Sequence, residues 1–369
     1  MRVGLLITSI SNFGEKGFYN SQEVGLAKEL SLLVKELIIY KLIPADQQKS
    51  ESKVDGCRYA VMKMIPAKNQ GINGLLDVTE LDKTLDAIIY FSDTQICVPK
   101  VYKWAQKNGV MLFPYIGVLE SHSTSKLKKA ITDFLFKRNL AVYKNCHCFV
   151  KTPTVEQELC NKGVSNITVT PVGLDLSLLH QNYEEADKTE LKLKYGFKPN
   201  EKVILFIGRL IEEKQPLRMV EIFSRLHQQD SNYRLLMVGT GPLKDAVDGK
   251  IKNKDLADDV VQIEKIPNSD IWELYCLADC FVNLNQQEIF GMAILEAMYY
   301  GCKVVAWNAP GPDFIIEDGV SGYLVRSDDA VIEKCCTMSD VSEEAHKRVA
   351  DSFTWKSTAV AMSKAMGAT

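Results

Sequence analysis

The sequence predicts an α/β protein built from two doubly wound domains whose parallel sheets face a central cleft. Three observations carry that expectation. The chain has 369 residues, and at about 150 residues per domain that length suggests two domains. Short apolar, β-branched runs alternate with stretches of helical period, and they do so in two successive series. Between the series lies a polar segment, 177–202, with Asn182-Tyr183-Glu184-Glu185-Ala186-Asp187 at its centre and no strand pattern.

The first series comprises Val3–Thr8, Leu37–Leu42, Tyr59–Met64, Ala87–Phe91, Val110–Ile116, Cys148–Val150 and Thr168–Val172. Each is a short apolar run closed by polar, Gly or Pro punctuation, the pattern of a buried strand. Gly25–Lys35 places Leu26, Leu30, Leu33 and Val34 on one helical face. The second series comprises Lys202–Ile207, Arg234–Val238, Val260–Ile263, Cys280–Leu284, Lys303–Trp307 and Tyr323–Val325. Serial βα units give parallel sheets covered by helices on both faces. The expected domains are residues 1–180 and 181–354, with ligands at the carboxyl ends of the strands.

Composition excludes other classes. With 46% hydrophobic and 25% charged residues and 12 prolines, the chain buries enough surface to offset its ordering entropy, so global disorder is out. No apolar run reaches the roughly 18 residues that span a bilayer, and Thr8, Ser9 and Ser11 follow the first apolar run where a signal peptide would continue, which predicts a cytoplasmic protein. The 10 cysteines form no C-x-x-C pair and read as reduced core thiols. Cys146-His147-Cys148 alternates along a predicted strand, so its side chains diverge and no zinc site is expected. The net charge of −3 argues against a nucleic-acid partner, but it is unevenly placed. Residues 1–178 hold 22 Lys+Arg against 17 Asp+Glu, leaving 22 against 30 for the remainder. The basic excess concentrates in 123–151, where Lys126, Lys128, Lys129, Lys137, Arg138, Lys144 and Lys151 face only Asp133.

Two stretches of the second half carry chemistry. In Val203-Ile204-Leu205-Phe206-Ile207-Gly208-Arg209-Leu210-Ile211-Glu212-Glu213-Lys214-Gln215-Pro216 an apolar strand ends at a glycine, and two cations follow before a helix that Pro216 opens. Cations at a sheet's ligand edge suit a diphosphate; the alternative is surface charges paired with Glu212 and Glu213. In Gln287-Glu288-Ile289-Phe290-Gly291-Met292-Ala293-Ile294-Leu295-Glu296 the glycine stands where a helix starts, and exposed N–H groups at such a start bind anions. Glu288 and Glu296 lie on the order of 9 Å apart if the residues between them are mostly helical. Two carboxylates at that span suit two sets of vicinal hydroxyls; the alternatives are an N-cap for Glu288 and a lysine partner for Glu296.

Taken together, Gly208-Arg209-Leu210 with Glu213-Lys214, the Val238-Gly239-Thr240-Gly241-Pro242 turn, the Glu288-to-Glu296 spacing around Phe290-Gly291 and Asp318-Gly319-Val320-Ser321-Gly322-Tyr323-Leu324-Val325 resemble the retaining GT-B glycosyltransferases of family four. Order and spacing agree over 200–327, with weaker similarity across nearly the whole chain. The resemblance implies two Rossmann-like domains, the first binding acceptor and completed by a C-terminal helix at 355–369, the second binding a nucleoside-diphosphate-sugar, a UDP-sugar being expected. By position, Arg209 and Lys214 would bind the diphosphate, Glu288 the donor-sugar hydroxyls, Glu296 the ribose, and the Phe290-Gly291-Met292 backbone the phosphate and sugar. Gly17 matches the first glycine of a family Gly-Gly loop, with Phe18 in place of the second. His122 is the candidate for a family histidine that reaches the reacting sugar, although it falls several residues late, and Glu120 competes as an acceptor-side base. Retention is likewise implied by the resemblance alone.

No cofactor beyond the donor and no metal is expected, because Asp258-Asp259 and Asp328-Asp329 follow no suitable buried strand near the cations, and Arg209 and Lys214 can neutralise a leaving diphosphate. The mixed apolar and cationic run Lys126–Arg138 suits either an ordinary core helix or an interfacial one facing anionic lipid, so a saccharide or a lipid-linked saccharide is the expected acceptor, with peripheral contact at the inner face of the plasma membrane in the second case. Other readings are a nucleotide-sugar epimerase or hydrolase of the same fold, and a Rossmann oxidoreductase or nucleotide-binding module. The last needs a Gly-x-Gly-x-x-Gly after a first strand, and Gly239-x-Gly241 lacks the third glycine.

Overall fold

The computed structural model describes residues 1–10, 22–69, 73–117, 119, 126–337 and 340–368, the side chains of 126–129 excepted. The chain divides into two compact units, Met1–Gly173 with Thr354–Thr369, and Leu174–Phe353.

The first unit holds β1 (Arg2–Ile7), β2 (Glu36–Ile43), β3 (Ser50–Lys53), β4 (Ala60–Pro66), β5 (Ala87–Phe91), β6 (Met111–Ile116), β7 (Cys148–Val150) and β8 (Ile167–Val169), in one sheet of order β3-β4-β2-β1-β5-β6-β7-β8. All neighbours pair in parallel except β3, which runs antiparallel along β4. That edge strand departs from the all-parallel expectation. Its sequence, SESK, is wholly exposed, so no apolar run marks it. Helices α1 (Gln22–Leu30), α2 (Val98–Asn108), α3 (Lys126–Tyr143) and α4 (Pro153–Asn161) belong to this unit. Thr152 caps α4, its hydroxyl accepting the Val155 N–H, and Pro153 occupies the first turn where no donor is missed. His147 bonds Thr168 at 2.8 Å and packs beside Phe113 and Phe149.

The second unit holds β9 (Lys202–Ile207), β10 (Tyr233–Val238), β11 (Val260–Ile263), β12 (Cys280–Asn283), β13 (Val304–Trp307) and β14 (Tyr323–Val325), all parallel, in the order β11-β10-β9-β12-β13-β14. Helices α5 (Lys188–Lys194), α6 (Pro216–Gln229), α7 (Lys244–Asn253), α8 (Ile271–Leu277), α9 (Met292–Tyr299), α10 (Pro310–Ile315), α11 (Asp328–Cys336) and α12 (Ser342–Ser352) complete it. The amphipathic α6 shows why the layers hold. Met219, Val220, Phe223 and Leu226 recur at helical spacing and are fully buried, each contributing about 1.5–3 kcal/mol of transfer free energy. This strand order reverses between β9 and β12, and ligands of open α/β sheets bind outside the carboxyl ends at such a switch point.

The last helix, α13 (Trp355–Met366), packs in the first unit. Thr354 and Ser357 form a reciprocal capping box at its start. Trp355 lies against Gly25 of α1 and its backbone against Gly173; a methyl at either glycine would fall 2.2 Å from the indole Nε1 or 2.1 Å from the Trp355 amide.

Candidate active site

The switch point of the second unit gathers the charged residues. After β9, the Gly208 N–H donates to the Val238 carbonyl and the Leu210 N–H to Thr240, while Gly239 donates to Ile263. The Val238–Pro242 turn is thus a brace beneath Gly208-Arg209-Leu210. Gly239 has a φ of 138°, and a methyl there would meet the Gly208 carbonyl oxygen at 2.0 Å, so the brace requires glycine.

Arg209 is exposed and has no ion-pair partner among the described residues. A single 3₁₀ turn, Glu212–Lys214, follows, then Gln215 at φ 57° and Pro216 opening α6. This turn sends the Lys214 stem over Gly208, where a methyl would touch its Cγ and Cδ at 3.7 Å. The Lys214 ammonium donates to Glu288 Oε2 at 2.5 Å, so its partner is Glu288 and neither Glu212 nor Glu213. The same carboxylate oxygen accepts from Asn285 Nδ2 at 3.1 Å and Asn283 Nδ2 at 3.4 Å. A half-buried carboxylate, 14% exposed in its side chain, is therefore satisfied by one cation and two carboxamides, as burial demands.

Glu288 does not cap α9. The N-cap is Gly291, at φ 105° and with no side-chain cap, which leaves the first helical N–H groups available to an anion. Phe290 turns its ring inward against Phe353, with ring centroids 6.4 Å apart, while its backbone lies under Gly311. The Gly311 N–H donates to the Glu288 carbonyl at 2.8 Å, and a methyl on Gly311 would sit 2.2 Å from the Phe290 oxygen. Gly311→Ala is accordingly expected to displace the 288–291 loop and weaken nucleoside-diphosphate binding by roughly tenfold or more, about 1.4 kcal/mol; titration calorimetry checks this, and unchanged affinity would refute it.

One turn and more along α9, Glu296 accepts the Tyr275 hydroxyl at 2.9 Å and has no lysine partner among the described residues. Burial pushes its carboxyl up to about 7, the Tyr275 hydrogen bond offsetting part of that. A carboxylate held by one neutral donor retains acceptor capacity for further hydroxyls.

Sequence reasoning thus named Arg209, Lys214, Glu288, Phe290, Gly291, Met292 and Glu296. The structure unites Lys214 with Glu288 directly, and sets Phe290, Gly291 and Met292 at the start of the helix that carries Glu296. Gly17, Glu120 and His122 lie outside the described residues. Asn283, Asn285, Tyr275 and Gly311 were missed. Asn283 and Asn285 are two apart at the end of β12, a spacing that puts two carboxamides on one side of an extended segment and was a readable signal.

Residues 187–347 match the family model for glycosyl transferases group 1. This segment is similar to the group 1 glycosyl transferases. Curated relatives include the alpha-monoglucosyldiacylglycerol synthase of Acholeplasma laidlawii, 24% identical over 200 residues, 53% of this chain and 50% of that one. The N-acetyl-alpha-D-glucosaminyl L-malate synthase of Bacillus anthracis is 30% identical over 147 residues, 40% of this chain and 38% of that one. The matched segment thus spans half or less of these relatives' length. Among solved structures, sucrose-phosphate synthase from Thermosynechococcus elongatus superposes with a TM-score of 0.72 at 17% identity, over 99% of this chain and 98% of that one. HepE of Anabaena, in complex with UDP and glucose, gives 0.70 at 15% identity over 100% of both chains. The fold of the chain is GT-B.

Proposed function

We propose that this protein transfers a sugar, with retention of configuration and without a metal ion, from a UDP-sugar to a saccharide or lipid-linked saccharide. The observation that carries the proposal is the Lys214–Glu288 pair, 2.5 Å apart, supported by Asn283 and Asn285 beside the uncapped start of α9. UDP as the nucleotude-bearing group is supported by HepE, whose solved complexes contain UDP.

In this reading Arg209, Lys214 and the α9 amides hold the diphosphate, Glu288 accepts hydroxyls of the donor sugar, and Glu296 accepts those of the ribose. As the bond from the anomeric carbon to the phosphate oxygen breaks, negative charge grows on the leaving diphosphate, where Lys214 and Arg209 stabilise it. The acceptor oxygen forms its bond on the same face, and its proton passes to the departing phosphate oxygen. The first unit binds the acceptor.

The deciding experiment is a panel of labelled nucleotide-sugars with and without excess chelator. Transfer from a UDP-sugar that persists in chelator is expected; loss of transfer that magnesium or manganese restores would overturn metal independence, and reduction of NAD or epimerisation without transfer would overturn the assignment itself.

A lipid-linked acceptor is favoured by α3, whose Ile131 and Phe134 are 52% and 66% exposed, with Lys137 exposed one turn beyond Phe134. Arg138 does not join them, since it donates to the Ile96 carbonyl at 2.6 Å. No described helix is long and apolar enough to cross a membrane. Co-sedimentation with anionic liposomes is expected and should weaken about 150 mM salt relative to low salt as charges are screened; absence of binding at both would leave a soluble saccharide as the acceptor.

A further inference from the structure

The carboxyl edge of the first unit's sheet carries a second charged arrangement, outside the residues considered so far. β5 runs through Ser92 into Asp93, which has a φ of 23°, a positive value unusual outside glycine. Its carboxylate is fixed by the Gly117 N–H, which donates to Oδ1 at 2.6 Å, and its carbonyl accepts the Tyr143 hydroxyl at 2.7 Å. Gly117 follows β6. Against it lies the side chain of Lys151, the first residue after β7; a methyl on Gly117 would fall 2.4 Å from Lys151 Cδ and 3.1 Å from Nζ. Only glycine at 117 gives the ammonium this position.

Lys151 is half-buried and its partners are neutral. Nζ donates to Gln22 Oε1 at 3.3 Å and stands 5.2 Å over the Tyr115 ring. By contrast Arg2, Lys41, Lys49, Lys63 and Lys68 of the same unit each meet a carboxylate, whereas Lys151 meets none among the described residues. Partial desolvation of an ammonium against an amide and a ring face leaves its charge under-compensated. An incoming anion would supply the missing compensation.

We propose that Lys151 is the anion-recognising residue of the acceptor site, so that the acceptor is a hydroxylated molecule bearing a phosphate or a carboxylate. This rests on the glycosyltransferase reading above.

The test uses the full chain saturated with UDP, so that the donor-side cations are occupied, and inorganic phosphate as the probe in titration calorimetry. Wild type is expected to bind phosphate, Lys151→Gln to bind it at least tenfold more weakly, and Lys151→Arg to restore most of the affinity, while UDP affinity is unchanged in all three. Competition by sugar phosphates against hydroxy acids then distinguishes the two sources of the anion. Equal phosphate affinity in wild type and Lys151→Gln, or stronger competition by neutral polyols than by their phosphorylated or carboxylated forms, overturns the proposal. Failure of UDP to bind overturns the glycosyltransferase reading instead, and the phosphate comparison of wild type with the variants still reads out Lys151.

Discussion

Glu288→Gln is expected to lower turnover by on the order of a hundred- to a thousandfold, the size seen when one preorganised polar contact to a transition state is removed, with far smaller change in UDP affinity. The carboxylate is positioned by Lys214, Asn285 and Asn283 together, and the substitution keeps its shape while removing its charge. Two consequences follow in the same direction. In the proposed reading donor hydroxyls lose a charge-assisted acceptor, and Lys214 loses its counter-charge. A split between kcat and UDP binding is what separates a role at the reacting sugar from a role in holding the loop. Steady-state kinetics with a fixed acceptor measures it; near-normal kcat would remove Glu288 from the reacting centre.

The second large effect concerns stability and its pH dependence. The Glu296 carboxyl is raised to about 7 in the folded protein from an ordinary value of 4.5. A raised carboxyl binds its proton more tightly folded than unfolded, so its contribution to stability is fully present below about pH 4.5, declines as pH rises, and is gone above about 7. The difference amounts to at most about 3 kcal/mol at 1.36 kcal/mol per unit. Glu296→Gln keeps a neutral side chain at all pH values. It should therefore match wild type near pH 4.5 and exceed it in chemical-denaturation stability by roughly 1–3 kcal/mol at pH 8, while binding UDP more weakly if, as proposed, Glu296 accepts the ribose hydroxyls. Equal stability of the two proteins at pH 8 would contradict the burial of a charge at this position.

Much of this architecture was legible because buried parallel strands are written in contiguous apolar residues. Ala87–Phe91, Cys148–Val150, Lys202–Ile207, Val260–Ile263 and Tyr323–Val325 stand in the structure at the bounds their composition suggests. Ser50–Lys53 was not legible, since a strand exposed at an edge has no apolar face to announce it. Residue spacing along the chain placed Gly291 at a helix start, where it is. It could not show which charges meet across the sheet. Lys214 reaches Glu288, 74 residues away, in preference to its neighbours Glu212 and Glu213, because the turn at Gln215 aims it over Gly208. Tyr275, which satisfies Glu296 in place of a lysine, sits on α8, and nothing local couples the two.

The seat of Trp355 bears on how the polypeptide acquires its structure. The indole that fills the space above Gly25 and the helix behind it are made after every residue of the second unit. During synthesis, then, the contiguous unit Leu174–Phe353 can close as soon as it emerges, whereas the unit begun first must wait with α1 partly uncovered until the final helix arrives. Of these two units the one begun earlier is completed later, and it is the one expected to need protection from aggregation in the interval.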